Sequence, residues 1–362
     1  MLIRIAVIFH MPEIFDTGWA DKILNVLRDK NFEVLALTYG TMSRIALTDN
    51  FMEDKVKYEE RKPSQFLPEI SSKVNAIIIA THTFSPKKSH ANCWHLIRNL
   101  NLENVVEVET NSGIVVAWSY KLNDLAKLLS ESLGLKFKKP PKFPHQIIWS
   151  KDGKKFRRIL GVDIGDYVMV NKIIVGEAVS EDVVIVEENG FITDVLGVKL
   201  KKNSLSRLAK LGKVSIEKVS VDARRNLRFT YKTPRLIDVQ ATRRGVFFLN
   251  HNAYEVYNFA PKAEGVVVIG DDTTTIVMDI LYRFQTPVLG IIDGDSDKLL
   301  ENIAIPKNSA IIMVKDDDTA GEKIFKEVFN GENAVLKSFN YVKSEVIKKL
   351  SNLNLILNVR EF

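Results

Sequence analysis

With 362 residues, 46% of them hydrophobic and 27% charged, the chain can bury two or three domain cores and falls outside the compositions of disordered or fibrous proteins. No apolar run approaches the roughly 18 residues that a membrane-spanning helix needs, and a single cysteine, Cys93, excludes an internal disulfide and fits a reducing cytoplasm. The net charge of +6 is unevenly spread: Lys199 to Arg244 holds fourteen Lys or Arg against Glu217, Asp222 and Asp238, a basic zone suited to a nucleic acid or a phosphorylated substrate.

The first segment alternates strand and helix signals. Ile3 to Phe9, Glu33 to Thr38 and Ala76 to Ala80 are apolar runs of strand length, and Thr17 to Asp29 spaces its apolar residues for a helix. The opening MLIRIAVIFH is short and lacks a small-residue cleavage site, so it reads as a strand and not as a signal peptide. Strands alternating with helices imply a parallel sheet covered on both faces. The turns after these strands carry His10, the run Gly40-Thr41-Met42-Ser43-Arg44, and His82, residues suited to an anion or to acid–base work. A helix near Trp94 to Asn99, strands at Val105 to Glu109 and Ile114 to Trp118, and a helix from Leu122 to Leu133 follow.

Lys136 to Pro144, rich in lysine and proline, reads as a linker. Beyond it Tyr167 to Val175, Val183 to Val186 and Phe191 to Val195 are short β-branched runs, the last two joined by the hairpin signal Asn189-Gly190. Ser204 to Leu211 suggests a helix and Val214 to Val221 a strand. Such a β-rich segment serves as a lid, a substrate platform or a dimerisation surface, so a homo-oligomer is compatible with it.

The richest stretch runs from Ala263 to Leu300. Val266 to Ile269 reads as a buried strand, Gly270-Asp271-Asp272 as a tight turn, Thr273 to Phe284 as a helix, and Val288 to Ile292 as a second strand running into Asp293-Gly294-Asp295-Ser296-Asp297. In a right-handed βαβ unit both turns open at the carboxyl edge of the sheet. Asp271, Asp272, Asp293, Asp295 and Asp297 would then crowd one crevice, and Mg²⁺ relieves such repulsion while bridging phosphate oxygens. On this reading Asp272, Asp293 and Asp295 hold the metal, Gly270, Thr273 and Thr274 seat a phosphate at the helix start, and Arg243 and Arg244 supply positive charge. Ala310 to Val314 reads as a third strand, Glu322 to Phe329 as a helix, and Tyr341 to Arg360 as a helix followed by a strand.

Gly270-Asp271-Asp272-Thr273-Thr274 and Pro287-Val288-Leu289-Gly290-Ile291 resemble the phosphate-binding core of NAD kinases and their diacylglycerol-kinase and phosphofructokinase relatives. In those a strand ends in Gly-Gly-Asp-Gly-Thr and a second strand of the form Pro-Val-Leu-Gly-Ile-Asn follows. Asp271 and Thr273 stand where those kinases have glycines, and Asp293 where they have Asn. Asp316-Asp317-Asp318-Thr319-Ala320-Gly321, with Glu264 upstream, resembles the acidic set of Toprim domains, which implies Glu264, Asp316 and Asp318 as metal ligands. Taken whole, the chain resembles an archaeal family that carries a domain-of-unknown-function label.

The expected fold is α/β: parallel-sheet α/β domains over 1–140 and 233–362, with a β-rich middle insert over 145–232. The expected function is Mg-dependent phosphoryl transfer or hydrolysis on a nucleotide or phosphorylated metabolite. A Toprim-like enzyme acting on nucleic acid through Lys199 to Arg244 is the alternative, and a non-catalytic ligand-binding or regulatory protein is the third.

Overall fold

The computed structural model describes residues 3–171, 173–240, 242–294 and 303–362. It divides into two compact units, Met1–Thr230 and Tyr231–Phe362. Both carry α/β sheets that are largely parallel, and the first also carries the β-rich insert. Among the described residues no helix is long and apolar enough to cross a membrane.

The first unit opens with a sheet in the order β3-β2-β1-β4-β5-β6-β7. Its strands are β1 (Arg4–His10), β2 (Glu33–Thr38), β3 (Lys57–Tyr58), β4 (Ala76–Thr81), β5 (Val105–Glu109), β6 (Ile114–Ala117) and β7 (Lys136–Lys138). All neighbours pair parallel except β5 and β6. Because side chains alternate along a strand, Ile5, Val7 and Phe9 enter the core beneath α2 (Trp19–Asp29) and α6 (Asn123–Leu133). Ala6 and Ile8 enter the core beneath α4 (Pro63–Ser71) and α5 (Pro86–Leu100). Helix α2 buries Ala20, Ile23, Leu24 and Leu27, one stripe at helical spacing, and each large side chain contributes about 1.5–3 kcal/mol. The segment read as a linker starts differently: Lys136–Lys138 extends the sheet as β7, paired parallel to β6.

The insert forms two antiparallel sheets, β14-β11-β10-β15 and β13-β12-β9-β8, together with α7 (Ser204–Ala209). Their strands are β8 (Ile148–Lys151), β9 (Lys154–Ile159), β10 (Tyr167–Val170), β11 (Ile173–Ala178), β12 (Val183–Glu188), β13 (Phe191–Leu196), β14 (Val198–Leu200) and β15 (Val221–Arg224). Val168, Val170 and Val175 of one sheet share a core with Ile185, Ile192 and Val195 of the other. At the β12–β13 turn Asn189 (φ 55°) and Gly190 (φ 89°) both take the left-handed conformation that a two-residue hairpin requires. The single strand expected over Tyr167 to Val175 is broken by Asn171 (φ 50°) into the hairpin β10–β11. The strand expected over Val214 to Val221 is a turn, closed by Val219 N–H donating to Ser215 O at 2.9 Å, and the strand begins only at Val221.

The carboxyl end of this unit is tied to its beginning. Arg228 donates through Nε and Nη2 to Asp16 at 2.7 Å each and through Nη1 to Asp49 at 2.9 Å. Phe229 N–H donates to Glu13 Oε1 at 2.7 Å, and Thr230 Oγ1 to Asp16 at 2.6 Å. Glu13 and Asp16 bound α1 (Glu13–Asp16), and Asp49 ends α3 (Thr41–Asp49).

The second unit holds a sheet in the order β20-β16-β17-β18-β19-β21. Strands β16 (Val246–Asn250), β17 (Gly265–Ile269), β18 (Val288–Ile292) and β19 (Ala310–Val314) run parallel. The edge strands β20 (Ala334–Val335) and β21 (Ile356–Glu361) are antiparallel to them. Leu289 and Ile291 face α9 (Asp317–Glu327) and α10 (Phe339–Asn352), so Gly290 between them faces α8 (Asp271–Tyr282). There the Thr274 methyl sits so close that a Cβ on Gly290 would lie 2.2 Å from Thr274 Cγ2. We expect Gly290→Ala to cost about 1–3 kcal/mol in urea unfolding and Thr274→Ser in the same chain to recover most of it. A neutral Gly290→Ala would refute the close approach.

Candidate functional site

Four parallel strands in consecutive order place their carboxyl ends in a row, and each end delivers a polar residue. His251 follows β16, Gly270 and Asp271 follow β17, Asp293 follows β18, and Asp317 opens α9 after β19. The carboxylate oxygens of Asp271, Asp293 and Asp317 lie within 4.8 Å of one another. Asp317 also belongs to a second group, with His251 and Asp318, gathered within the same distance.

Carboxylates in the first turn of α8 and α9 are ordinary, because the helix dipole favours them there. Convergence with Asp293, which belongs to neither helix, goes beyond that. Asp271 Oδ2 accepts the backbone N–H of Asp293 at 3.1 Å and of Gly294 at 3.3 Å, which fixes the two acids against each other. His251 Nε2 lies 3.1 Å from Asp318 Oδ1. The imidazole lies across Gly270, where a Cβ would meet His251 Nδ1 at 2.5 Å, and φ is +101°. Only glycine meets both demands. Asp271 and Asp317 are each only 7% exposed. Burial first, then the charge of Asp293, lift the Asp317 pKa to about 6. A cluster that resists holding all its charges is one that a cation stabilises.

The expected residues fare differently. Asp271 and Asp293 meet as the sequence implied. Asp295 and Asp297 lie outside the described residues. Asp272 stands outside both acidic groups, because adjacent residues of a helix point about 100° apart, and Asp317 takes the third place. Thr274 is buried, with its methyl on Gly290 and its hydroxyl without a partner, so it packs against β18 and is no open phosphate seat; Thr273 is half-buried in the same turn. Arg243 and Arg244 precede β16 and so occupy the amino edge, away from the acids. Arg243 donates to Gln285 O at 3.0 Å and to Phe284 O, closing the end of α8, and Arg244 N–H donates to Lys262 O at 2.8 Å.

The Toprim-like trio is not assembled. Glu264 precedes β17 and accepts from Phe339 N–H at 3.2 Å, whereas Asp316 and Asp318 follow β19 at the opposite edge. Asp316 caps α9 through Thr319 N–H at 2.6 Å. Arginines of the basic zone are also engaged internally, among them Arg224 with Asp222, Arg225 with Ile164 O, Arg228 with Asp16 and Asp49, and Arg243 with the helix end. In the first unit, Arg44 stacks over Tyr58 at 4.7 Å and His82 Nδ1 lies 2.8 Å from Thr110 Oγ1. The residues that sequence reasoning missed are Asp317 and His251. The helix of Asp317 was expected to start only at Glu322, and counting one polar residue per strand end would have found both.

The family model described as "Uncharacterized protein conserved in archaea (DUF2117)" matches residues 7–332. Uncharacterized protein MJ0065 of Methanocaldococcus jannaschii is 32% identical over 371 residues, covering 93% of this chain and 100% of that protein. No solved structure matches the chain. These matches reach into both units, and the chain belongs to the archaeal family DUF2117.

Proposed function

We propose that this protein is a Mg²⁺-dependent enzyme that binds a nucleotide or phosphorylated metabolite at the carboxyl edge of the second sheet and transfers or hydrolyses a phosphoryl group. The observation that supports this reading is the meeting of Asp271, Asp293 and Asp317, from three different strand ends, within 4.8 Å. Hard carboxylate oxygens fit Mg²⁺, which needs only one or two of them directly. The cation would supply neutralisation of phosphate charge. On this reading His251, 3.1 Å from Asp318, would take a proton from the attacking water or hydroxyl. The nucleic-acid alternative is weakened by Glu264 sitting at the far edge of the sheet. Cys93 is a buried free thiol, in keeping with a cytoplasmic assignment.

The test is thermal unfolding with and without Mg²⁺, followed by ³¹P NMR of a nucleotide panel. Saturating Mg²⁺ is expected to raise Tm by roughly 5–10 °C. Asp293→Asn and Asp317→Asn should each remove that response. A nucleotide whose binding depends on Mg²⁺ but whose phosphorus spectrum never changes would leave a binding protein. Absence of any Mg²⁺ response would end the proposal.

A further inference from the structure

The Met1–Thr230 unit carries a second concentration of polar chemistry, built without any residue of the acidic cluster. In its first sheet β1 lies between β2 and β4, so the connections leave β1 and β4 in opposite directions, and their carboxyl ends part at the crevice where open α/β sheets take ligands. His10 ends β1, Thr83 follows β4, and α5 runs alongside. The β-rich insert roofs this crevice. It approaches so closely that a Cβ on Gly161 would lie 2.9 Å from Ala91 Cβ. A cavity of about 180 Å³ is left between them, lined in part by His10, Met11, Lys88, Asn92, His95 and Arg224.

Buried polar atoms are almost always hydrogen-bonded. Eight described side-chain atoms break that rule, and three of them belong to these lining residues: His10 Nδ1, Asn92 Nδ2 and Arg224 Nε. All three are nitrogens. The Asn92 amide has at most the Tyr39 hydroxyl to donate to. Arg224 is held at its outer end by Asp222, and Lys88 by Asp166, which leaves the Arg224 Nε–H without an acceptor. His10 stacks on Tyr39 at 5.0 Å; burial and the Arg224 cation push its pKa down to about 4, so near neutral pH its Nδ1 can donate or accept. Met11, with φ 78°, holds a left-handed conformation that a non-glycine residue adopts at a cost, as backbones at binding sites often do.

Donors without acceptors call for an occupant that presents acceptor oxygens, and it must do so beside Asp222, which also lines the cavity. We propose that this cavity binds a small oxyanion-bearing molecule, a carboxylate or a phosphate. Its oxygens take the N–H groups of Arg224 and Asn92, and its remainder lies against the apolar lining of Ile159 and Val221.

The experiment follows Tm of the full chain carrying Asp293→Asn, in EDTA, so that the acidic cluster does not respond. Inorganic phosphate and malonate are titrated separately at constant ionic strength. A saturable rise with phosphate assigns a phosphate subsite, and one with malonate a carboxylate subsite. Arg224→Met should weaken the response by about tenfold or more. Asn92→Leu has similar volume and gives up at most a contact with the Tyr39 hydroxyl, so it should fold about as well as its parent while losing the response, which keeps the test valid if Arg224→Met does not fold. No saturable shift with either anion, or a shift undiminished by Asn92→Leu, would overturn the assignment.

Discussion

Arg228→Ala is expected to lower the stability of the Met1–Thr230 unit by about 3–5 kcal/mol. Its side chain is 6% exposed, and those of Asp16 and Asp49 are 1% and 0% exposed. Burial pulls the Arg228 pKa down, but hydrogen bonds and charge from Asp16 and Asp49 more than reverse this and hold it above its ordinary value. The loss on truncation is therefore the cost of leaving two carboxylates buried without a counter-charge, and it exceeds what the triad contributes against an apolar substitute. Arg228→Met combined with Asp16→Asn and Asp49→Asn should recover most of it. Lysine should not, because one ammonium cannot reproduce a fork that spans two acids. Urea unfolding of the four chains decides the matter. An Arg228→Ala cost near zero would show that the acids are hydrated.

Glu13→Gln should act in the opposite direction, and only at neutral to alkaline pH. Burial, first among its causes, lifts the Glu13 pKa from 4.5 to about 7, opposed by the N–H of Phe229 and the charge of Arg228. The sign follows from which state gives up the proton. Well below pH 4.5 Glu13 is protonated whether the chain is folded or not, and it carries no penalty. Between pH 4.5 and 7 the unfolded chain ionises and the folded one resists, so stability falls. Above pH 7 the penalty levels off on the order of 3 kcal/mol. Glutamine keeps an acceptor for Phe229 N–H and places a neutral amide where Oε2 is buried without a partner. The variant should be more stable than wild type at pH 8.5, and the difference should shrink steadily towards pH 5. A difference that does not change with pH would refute the assignment of this titration to Glu13.

Much of the sheet architecture was legible because parallel strands buried on both faces are continuous apolar runs. Ala76–Thr81, Val288–Ile292 and Ala310–Val314 were readable in this way, whereas Glu33–Thr38 and Val105–Glu109 carry glutamates and were legible from their β-branched and apolar content. Turn chemistry carried Asn189-Gly190, because both residues tolerate the left-handed conformation the hairpin needs. Tyr167 to Val175 misled because its hairpin turns on Asn171, a residue that tolerates φ above zero without the glycine that would have advertised it. Lys136 to Lys138 reads as linker by composition, and only the open edge of β6 makes it a strand. At the acidic site, sequence order implied the meeting of Asp271 and Asp293. It could not rank Asp272 against Asp317, because that choice depends on helical phase and on a strand that begins almost forty residues later. The basic zone misled for a related reason: a run of charge along the sequence says nothing about which guanidinium groups turn inward.

The knot at Arg228 also sets a clock on biosynthesis. Asp16 and Asp49 leave the ribosome 212 and 179 residues ahead of the cation that neutralises them, which at about 5–20 residues per second is on the order of ten seconds or more. Throughout that interval Asp16 has Asn50 as a donor from its own segment but no counter-charge. A chain that stops short of Arg228 is therefore expected to fold its first sheet less stably than the finished chain does.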